Sequence, residues 1–188
     1  LNDLIIKAKK TKFGIDHKFD KINNVEEYSQ RVPVRDYEGI IAYINEVKKG
    51  HKDVLWPGKP KYLAKTSGTT SGAKYIPITK ESMPNHILSS RNALLFYIRE
   101  TGDTRFLKGK TIFLQGSPVL EKVNGIFLGR LSGIVAHHMP SYLKHNNLPS
   151  LKTNSIKDWE EKVDEICKET INENMTAIGG IPSWVQLY

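Results

Sequence analysis

Hydrophobic positions along the chain change period several times, and each change marks an element. Leu1, Leu4, Ile5 and Ala8 share one helical face and predict a helix over 1–12. Residues 12–24 read as a loop pinned by Phe13, Ile15, Phe19 and Ile22. Asn24 followed by Glu27 predicts a short capped helix to about residue 30. Val32-Pro33-Val34 is extended, because a residue before proline avoids the helical region. Tyr37, Ile40, Ile41, Ile44 and Val47 then predict a helix over 36–49, closed by Gly50, with Lys48 and Lys49 suited to its negative end. A Pro/Gly/Lys stretch with Trp56 as packing anchor leads into a short apolar strand over 62–64. A second apolar run covers 75–78.

The rest of the chain continues the alternation. Thr79 or Ser82 caps a long helix through about residue 100, with Pro84 in its first turn and Met83, Ile87, Leu94, Leu95 and Ile98 at helical spacing. The continuous apolar run at 111–115 predicts a buried strand. Between 119 and 139, apolar runs alternate with Gly125, Gly129 and Gly133, which predicts close backbone packing near a cleft. Residues 140–154 read as polar and irregular. Ser155 with Asp158 predicts a capping box and a helix through Asn172. Its apolar stripe is Ile156, Trp159, Val163, Ile166 and Ile171, with Glu160, Glu161, Asp164 and Glu165 on the solvated side. A second buried strand at 175–178 runs into the strand-to-helix turn Gly179-Gly180-Ile181-Pro182-Ser183-Trp184, and a new helix is starting where the chain stops at Tyr188. This alternation predicts an α/β layered fold, with a largely parallel sheet flanked by helices.

The stretch between the first two strands carries the chemistry. Thr66-Ser67-Gly68-Thr69-Thr70-Ser71-Gly72-Ala73-Lys74 concentrates hydroxyls, glycines and one lysine. Glycine allows positive φ and close approach to a ligand. Successive amides in such a turn form an anion-binding concavity, to which a lysine adds charge. A polyphosphate needs that combination. The P-loop pattern does not fit, since Gly68 and Gly72 enclose three residues rather than four and Ala73 precedes the lysine. The dinucleotide fingerprint is absent as well. The ordinary alternative for this composition is a polar surface turn.

The order of these residues resembles the phosphate-binding signature of adenylate-forming enzymes. With Lys74-Tyr75-Ile76-Pro77, Arg31-Val32-Pro33-Val34-Arg35-Asp36-Tyr37-Glu38 and Gly179-Gly180-Ile181-Pro182-Ser183-Trp184, it resembles the Gretchen Hagen (auxin-responsive) family of acyl-acid amido synthetases. The resemblance implies that residues 1–188 are the first portion of the large N-terminal domain of a bacterial-type member. It also implies a ligase that uses ATP and Mg²⁺ to turn a carboxylic acid into an acyl-adenylate, which an amino acid's amine then attacks. Thr66, Ser67, Gly68, Thr69, Thr70, Ser71, Gly72 and Lys74 would hold the ATP phosphates. Arg91 and Leu95 on the long helix, with Ile181, Pro182 and Ser183 at the later turn, would line the acyl-acid pocket. Plant members carry one more residue between hydroxyls and lysine. The family's two later nucleotide motifs and its C-terminal domain are missing from these residues, so the piece alone is expected to have little activity and its catalytic residues are unknown. An acyl-CoA ligase is the enzymatic alternative, and a non-catalytic polyanion-binding module is the other.

Charge supports an anionic ligand. Of the net +8, residues 1–80 carry most, with 16 Lys and Arg against 9 Asp and Glu. A basic half of this kind draws in polyanions. Interleaved basic and aromatic residues, as nucleic-acid binding would want, occur only at Lys59-Pro60-Lys61-Tyr62, so no nucleic-acid partner is expected. No apolar run approaches the roughly 18 residues of a membrane helix. The single Cys167 fits a reducing, cytoplasmic setting. His137-His138 would point apart on a strand and has no acidic or cysteine neighbour in sequence, so no metal site is expected.

Overall fold

The computed structural model describes every residue except 67–71 and 115, and the side chains of all the rest but Tyr142 and Leu187. Its contacts divide into two compact units, Leu1–Met83 with Glu121–Leu128, and Pro84–Leu120 with Gly129–Tyr188. Among the described residues no helix is long and apolar enough to cross a membrane.

The first unit opens with α1 (Asn2–Ala8) and α2 (Lys12–Asp16), followed by a 3₁₀ turn at Phe19–Lys21. The stretch expected to be a loop over 12–24 is therefore largely helical. Buried Thr11 starts α2, its hydroxyl accepting the Gly14 amide at 3.0 Å. A helix this short shows too few turns to leave a period in the sequence. Ile5, Ala8, Phe19 and Ile22 form one cluster, with Phe13, Tyr28, Val32 and Trp56 packed on it. In α3 (Val25–Arg31) the Asn24 side chain accepts the Glu27 amide at 2.8 Å, as the capping pattern predicts. The helix α4 (Ile41–Lys48) is shorter than the expected 36–49. Asp36 Oδ1 accepts the Gly39 amide at 2.9 Å, and that local turn displaces the helix start. At its far end the Gly50 amide donates to Val47 and the His51 amide to Glu46, the paired bonds of a Schellman close.

The strands are β1 (Tyr62–Thr66), β2 (Lys74–Ile78), β3 (Lys110–Leu114), β4 (Glu121–Val123), β5 (Ile126–Arg130), β6 (Asn147–Leu148) and β7 (Met175–Gly180). One sheet has the order β2-β1-β5-β4. Within it β1 and β2 pair antiparallel, and so do β4 and β5. The β4–β5 turn is Asn124-Gly125, with φ of 51° and 82°, the left-handed pair a type I′ hairpin requires. Val47, Val54, Leu63 and Ile126 are buried together, with Tyr43, Leu55, Tyr75 and Leu128 around them.

The parallel ladders predicted from the helix–strand alternation lie in the second unit, where β3 pairs parallel with both β6 and β7. A Cβ on Gly180 would stand 2.7 Å from the Leu114 carbonyl oxygen and 2.8 Å from its Cβ, so β3 and β7 close up there only around glycine. Ile112, Leu114 and Ile166 form the core of this unit, with Met175, Trp184 and Val185.

Residues 140–154, expected to be irregular, contain α7 (Ser141–Lys144), β6 and α8 (Leu151–Asn154), coming after α6 (Leu131–Ala136). The helix α9 (Trp159–Thr170) starts later than the Ser155 box predicts. Asp158 is its cap, accepting the Glu161 amide at 2.9 Å, while Ser155 ends α8 and donates to the Leu151 carbonyl. The buried line of α9 is Lys162, Ile166 and Thr170, and Ile171, expected on the apolar stripe, is 79% exposed. Before α5 (Met83–Thr101), Thr79 and Ser82 exchange amide–hydroxyl bonds. That helix buries Met83 but leaves Leu88, Leu94, Leu95, Phe96 and Tyr97 exposed. The last helix is α10 (Pro182–Leu187).

Candidate functional site

β1 carries the chain from core to surface. Tyr62, Leu63 and Ala64 are buried, while Lys65 and Thr66 are exposed. β2 makes the return journey, from half-buried Lys74 and Tyr75 to buried Ile78. Of the expected phosphate-binding set, Ser67, Gly68, Thr69, Thr70 and Ser71 lie outside the described residues, and Thr66, Gly72 and Lys74 lie within them. Thr66 and Lys74 are partners across the hairpin. Gly72 is exposed with φ of 80°, and a Cβ placed on it would meet nothing within 4 Å. A backbone in that conformation, with open space beside it, suits close approach of a ligand.

The lysines here sit on aromatic rings. The Lys74 ammonium lies 5.3 Å from the Tyr37 ring centroid, and Lys48 lies 4.0 Å from that of Tyr75. Lys61 stands 5.2 Å from the ring of Tyr62. A π face holds an ammonium without neutralising it. Among the described residues of this unit, Glu46 forms an ion pair with Lys12 and stands 3.8 Å from His51 Nδ1. The hydrogen bond from Lys12 holds the Glu46 carboxyl below its ordinary pKa and raises that of Lys12.

The upstream motif at 31–38 is tied into this arrangement. Arg35 donates to His17 Nε2 at 2.6 Å, and His17 Nδ1 donates to the Phe13 carbonyl at 2.7 Å. The Arg35 guanidinium also lies over the Phe13 ring. Two residues on, the Tyr37 hydroxyl accepts the Tyr75 amide at 2.9 Å. Sequence reasoning placed Tyr37 on a helix face and missed this contact. Its signal was membership of the 31–38 motif.

In the second unit Arg91, Leu95, Ile181, Pro182 and Ser183 are all exposed. A cavity of about 270 Å³ in this unit is lined instead by residues such as Phe113, Met139, Lys144, Leu148 and Asn154, and none of the five expected pocket residues lines it. Beneath it Glu169 accepts from the Ser150 amide, the Ser150 hydroxyl and the Thr153 hydroxyl at 2.6–2.7 Å. Burial pushes this carboxyl up, but those donors outweigh it and hold the pKa below the ordinary value. Desolvation lowers the pKa of buried Lys162, which donates to the Asn154 carbonyl at 2.9 Å. His137 Nε2 is hydrogen-bonded to the Pro118 carbonyl at 2.8 Å. Among the described residues no group of three or more His, Cys, Asp or Glu could hold a metal ion.

The hydroxyl of Thr66, the amide of Gly72 and the ammonium of Lys74 are groups of the kind that suit a polyphosphate.

The fold is a mixed α/β one with parallel sheet elements flanked by helices, and it is shared with acyl acid amido synthetases of known structure. One, described as "GH3.15 acyl acid amido synthetase", superposes with a TM-score of 0.67 at 22% identity, over 84% of this chain and 28% of that one. Another, "AtGH3.15 acyl acid amido synthetase in complex with 2,4-DB", gives 0.62 at 21% identity, over 73% of this chain and 25% of that one. The chain thus spans about a quarter of the length of these solved relatives. The profile of the GH3 family N-terminal domain matches residues 1–179, and the chain belongs to the GH3 family. No curated protein matches it.

Proposed function

We propose that this chain supplies the ATP triphosphate-binding part of an acyl acid amido synthetase. The observation that carries the reading is the β1–β2 hairpin, which brings Thr66 and Lys74 opposite each other at an exposed, glycine-flanked end. A carboxylate oxygen attacks the α-phosphate, the bond to the β-phosphate breaks, and pyrophosphate leaves. An amine then attacks the acyl carbonyl, an amide bond forms, and AMP leaves with the acyl oxygen. In the first step negative charge grows on the leaving pyrophosphate, and fixed donors aimed at it lower the barrier. The sequence offers the amides and hydroxyls of 66–72 for that part, and Lys74 would bring a positive charge to the β and γ oxygens. Arg91 and Leu95, with Ile181, Pro182 and Ser183, would contact the acid, the guanidinium of Arg91 meeting its carboxylate in bidentate fashion. The single thiol, Cys167, half-buried and free, suits a cytoplasmic setting.

The test is pyrophosphate–ATP exchange by the complete protein with a panel of carboxylic acids. Exchange that depends on a particular acid, with an ATP requirement raised by Thr69→Val, supports the reading. Exchange that needs no acid counts against it. Offering amino acids and coenzyme A in turn as acceptors separates an amide synthetase from an acyl-CoA ligase.

A further inference from the structure

The structure assigns Tyr37 as the positioning residue for Lys74, an inference that rests on reading Lys74 as a phosphate-binding group. Two contacts from one side chain converge on consecutive residues of β2. The ring lies 5.3 Å from the Lys74 ammonium, and the hydroxyl accepts the Tyr75 amide at 2.9 Å. β2 is the edge of its sheet, so this amide is received by a side chain where an inner strand would offer a carbonyl. Tyr37 therefore fixes both the backbone just past the glycine-rich segment and the cation that projects from it.

A free lysine on four rotatable bonds samples many rotamers and loses that freedom when it binds. A ring beneath the ammonium restricts it before ligand arrives, which is the economy of preorganisation. A carboxylate in the same place would compete with phosphate and cancel the charge. A π face does neither, and its hold corresponds to only about two- to fivefold in population where water still reaches it, weak enough to yield to a charged phosphate oxygen. Tyr37 is itself held from both sides. Arg35 ties the preceding residues to His17, and the Asp36–Gly39 turn fixes the following ones.

The test follows the Lys74 ammonium directly in the complete protein, using ¹³C-methyl groups added to lysines by reductive methylation, which leaves the charge in place. The Lys74 signal, identified by its loss in Lys74→Arg, is expected upfield of exposed lysines through the ring current of Tyr37. It should move to the exposed position in Tyr37→Leu and stay upfield in Tyr37→Phe. In pyrophosphate exchange, Tyr37→Leu should raise the KM for ATP about two- to fivefold with little change in kcat. In a Lys74→Ala background it should raise it no further. An exposed-lysine shift for Lys74 in the unsubstituted protein overturns the assignment, and so does an additive effect of the two substitutions. Addition of ATP separates this from the underlying reading: an upfield Lys74 signal that ATP fails to move leaves the Tyr37 contact standing and removes the phosphate role. The decisive shift needs only the unsubstituted protein and Lys74→Arg, so a Tyr37→Leu variant that does not fold leaves the test intact.

Discussion

Thr66 stands directly across from Lys74 on the last rung of the β1–β2 ladder. The strand pairing puts these two residues side by side where the hairpin leaves the sheet. Thr66 is exposed and Lys74 half-buried, while Leu63 and Ile78, further down the same two strands, are buried. The pair is thus presented by a rigid base.

From that arrangement, Lys74→Ala should weaken productive ATP use and leave the acid requirement unchanged. A hydrogen bond to a charged group is worth about 1.5–3 kcal/mol, so kcat/KM for ATP should fall about 10- to 150-fold. Pyrophosphate exchange over a range of ATP concentrations measures it. A matching fall in the urea midpoint would point to general damage instead.

The Asn124-Gly125 turn makes a prediction about stability. Gly125 has φ of 82°, a conformation that costs a side-chain-bearing residue about 1–2 kcal/mol. Gly125→Ala should lower the stability by that amount, read as a lower urea midpoint with an unchanged slope. An unchanged midpoint would mean that β4 and β5 turn in some other way.

Gly180→Ala tests the closeness of β3 and β7. The added methyl would meet main-chain atoms of Leu114 that have no rotamer to move into. Overpacking of this kind costs about 1–3 kcal/mol, with the larger figure expected because backbone must shift. Urea unfolding reads the loss, and hydrogen exchange should show it centred on the β3 amides.

Glu169 gives a dependence on pH. Its folded-state pKa lies below the ordinary value, the hydroxyls of Thr153 and Ser150 and the Ser150 amide overcoming burial. A depressed carboxyl contributes stability that is fully present above its unfolded value of about 4.3 and disappears as pH falls through the folded one. Glu169→Gln should therefore cost about 1–3 kcal/mol at neutral pH, and the gap between variant and parent should narrow in acid. A gap of constant size from neutral pH to about pH 3 would contradict the assignment.

Local signals were readable wherever the physics is local. Asn24 caps α3 as its spacing to Glu27 foretells, and Gly50 closes α4. Local signals failed where two of them competed. Ser155 and Asp158 both look like caps, and Asp158 takes the helix because Ser155 is already committed to the end of α8. The short elements in 12–24 and 140–154 escaped notice for a different reason, since a helix of four or five residues is too brief to repeat its own period.

The amino-acid order by itself determined the kinds of element, the main turns and the chemical character of the segment between β1 and β2. Each of those depends on backbone preference and side-chain type within a few residues. Tertiary structure alone decided which faces are buried and which groups meet. It put Lys162 and Thr170 inside α9 and Ile171 outside, because burial follows what the neighbouring elements offer rather than hydrophobicity alone. It also brought Tyr37 beneath Lys74 and onto the Tyr75 amide, across nearly forty residues of chain, because an edge strand's free N–H and a lysine's charge take partners wherever folding supplies them.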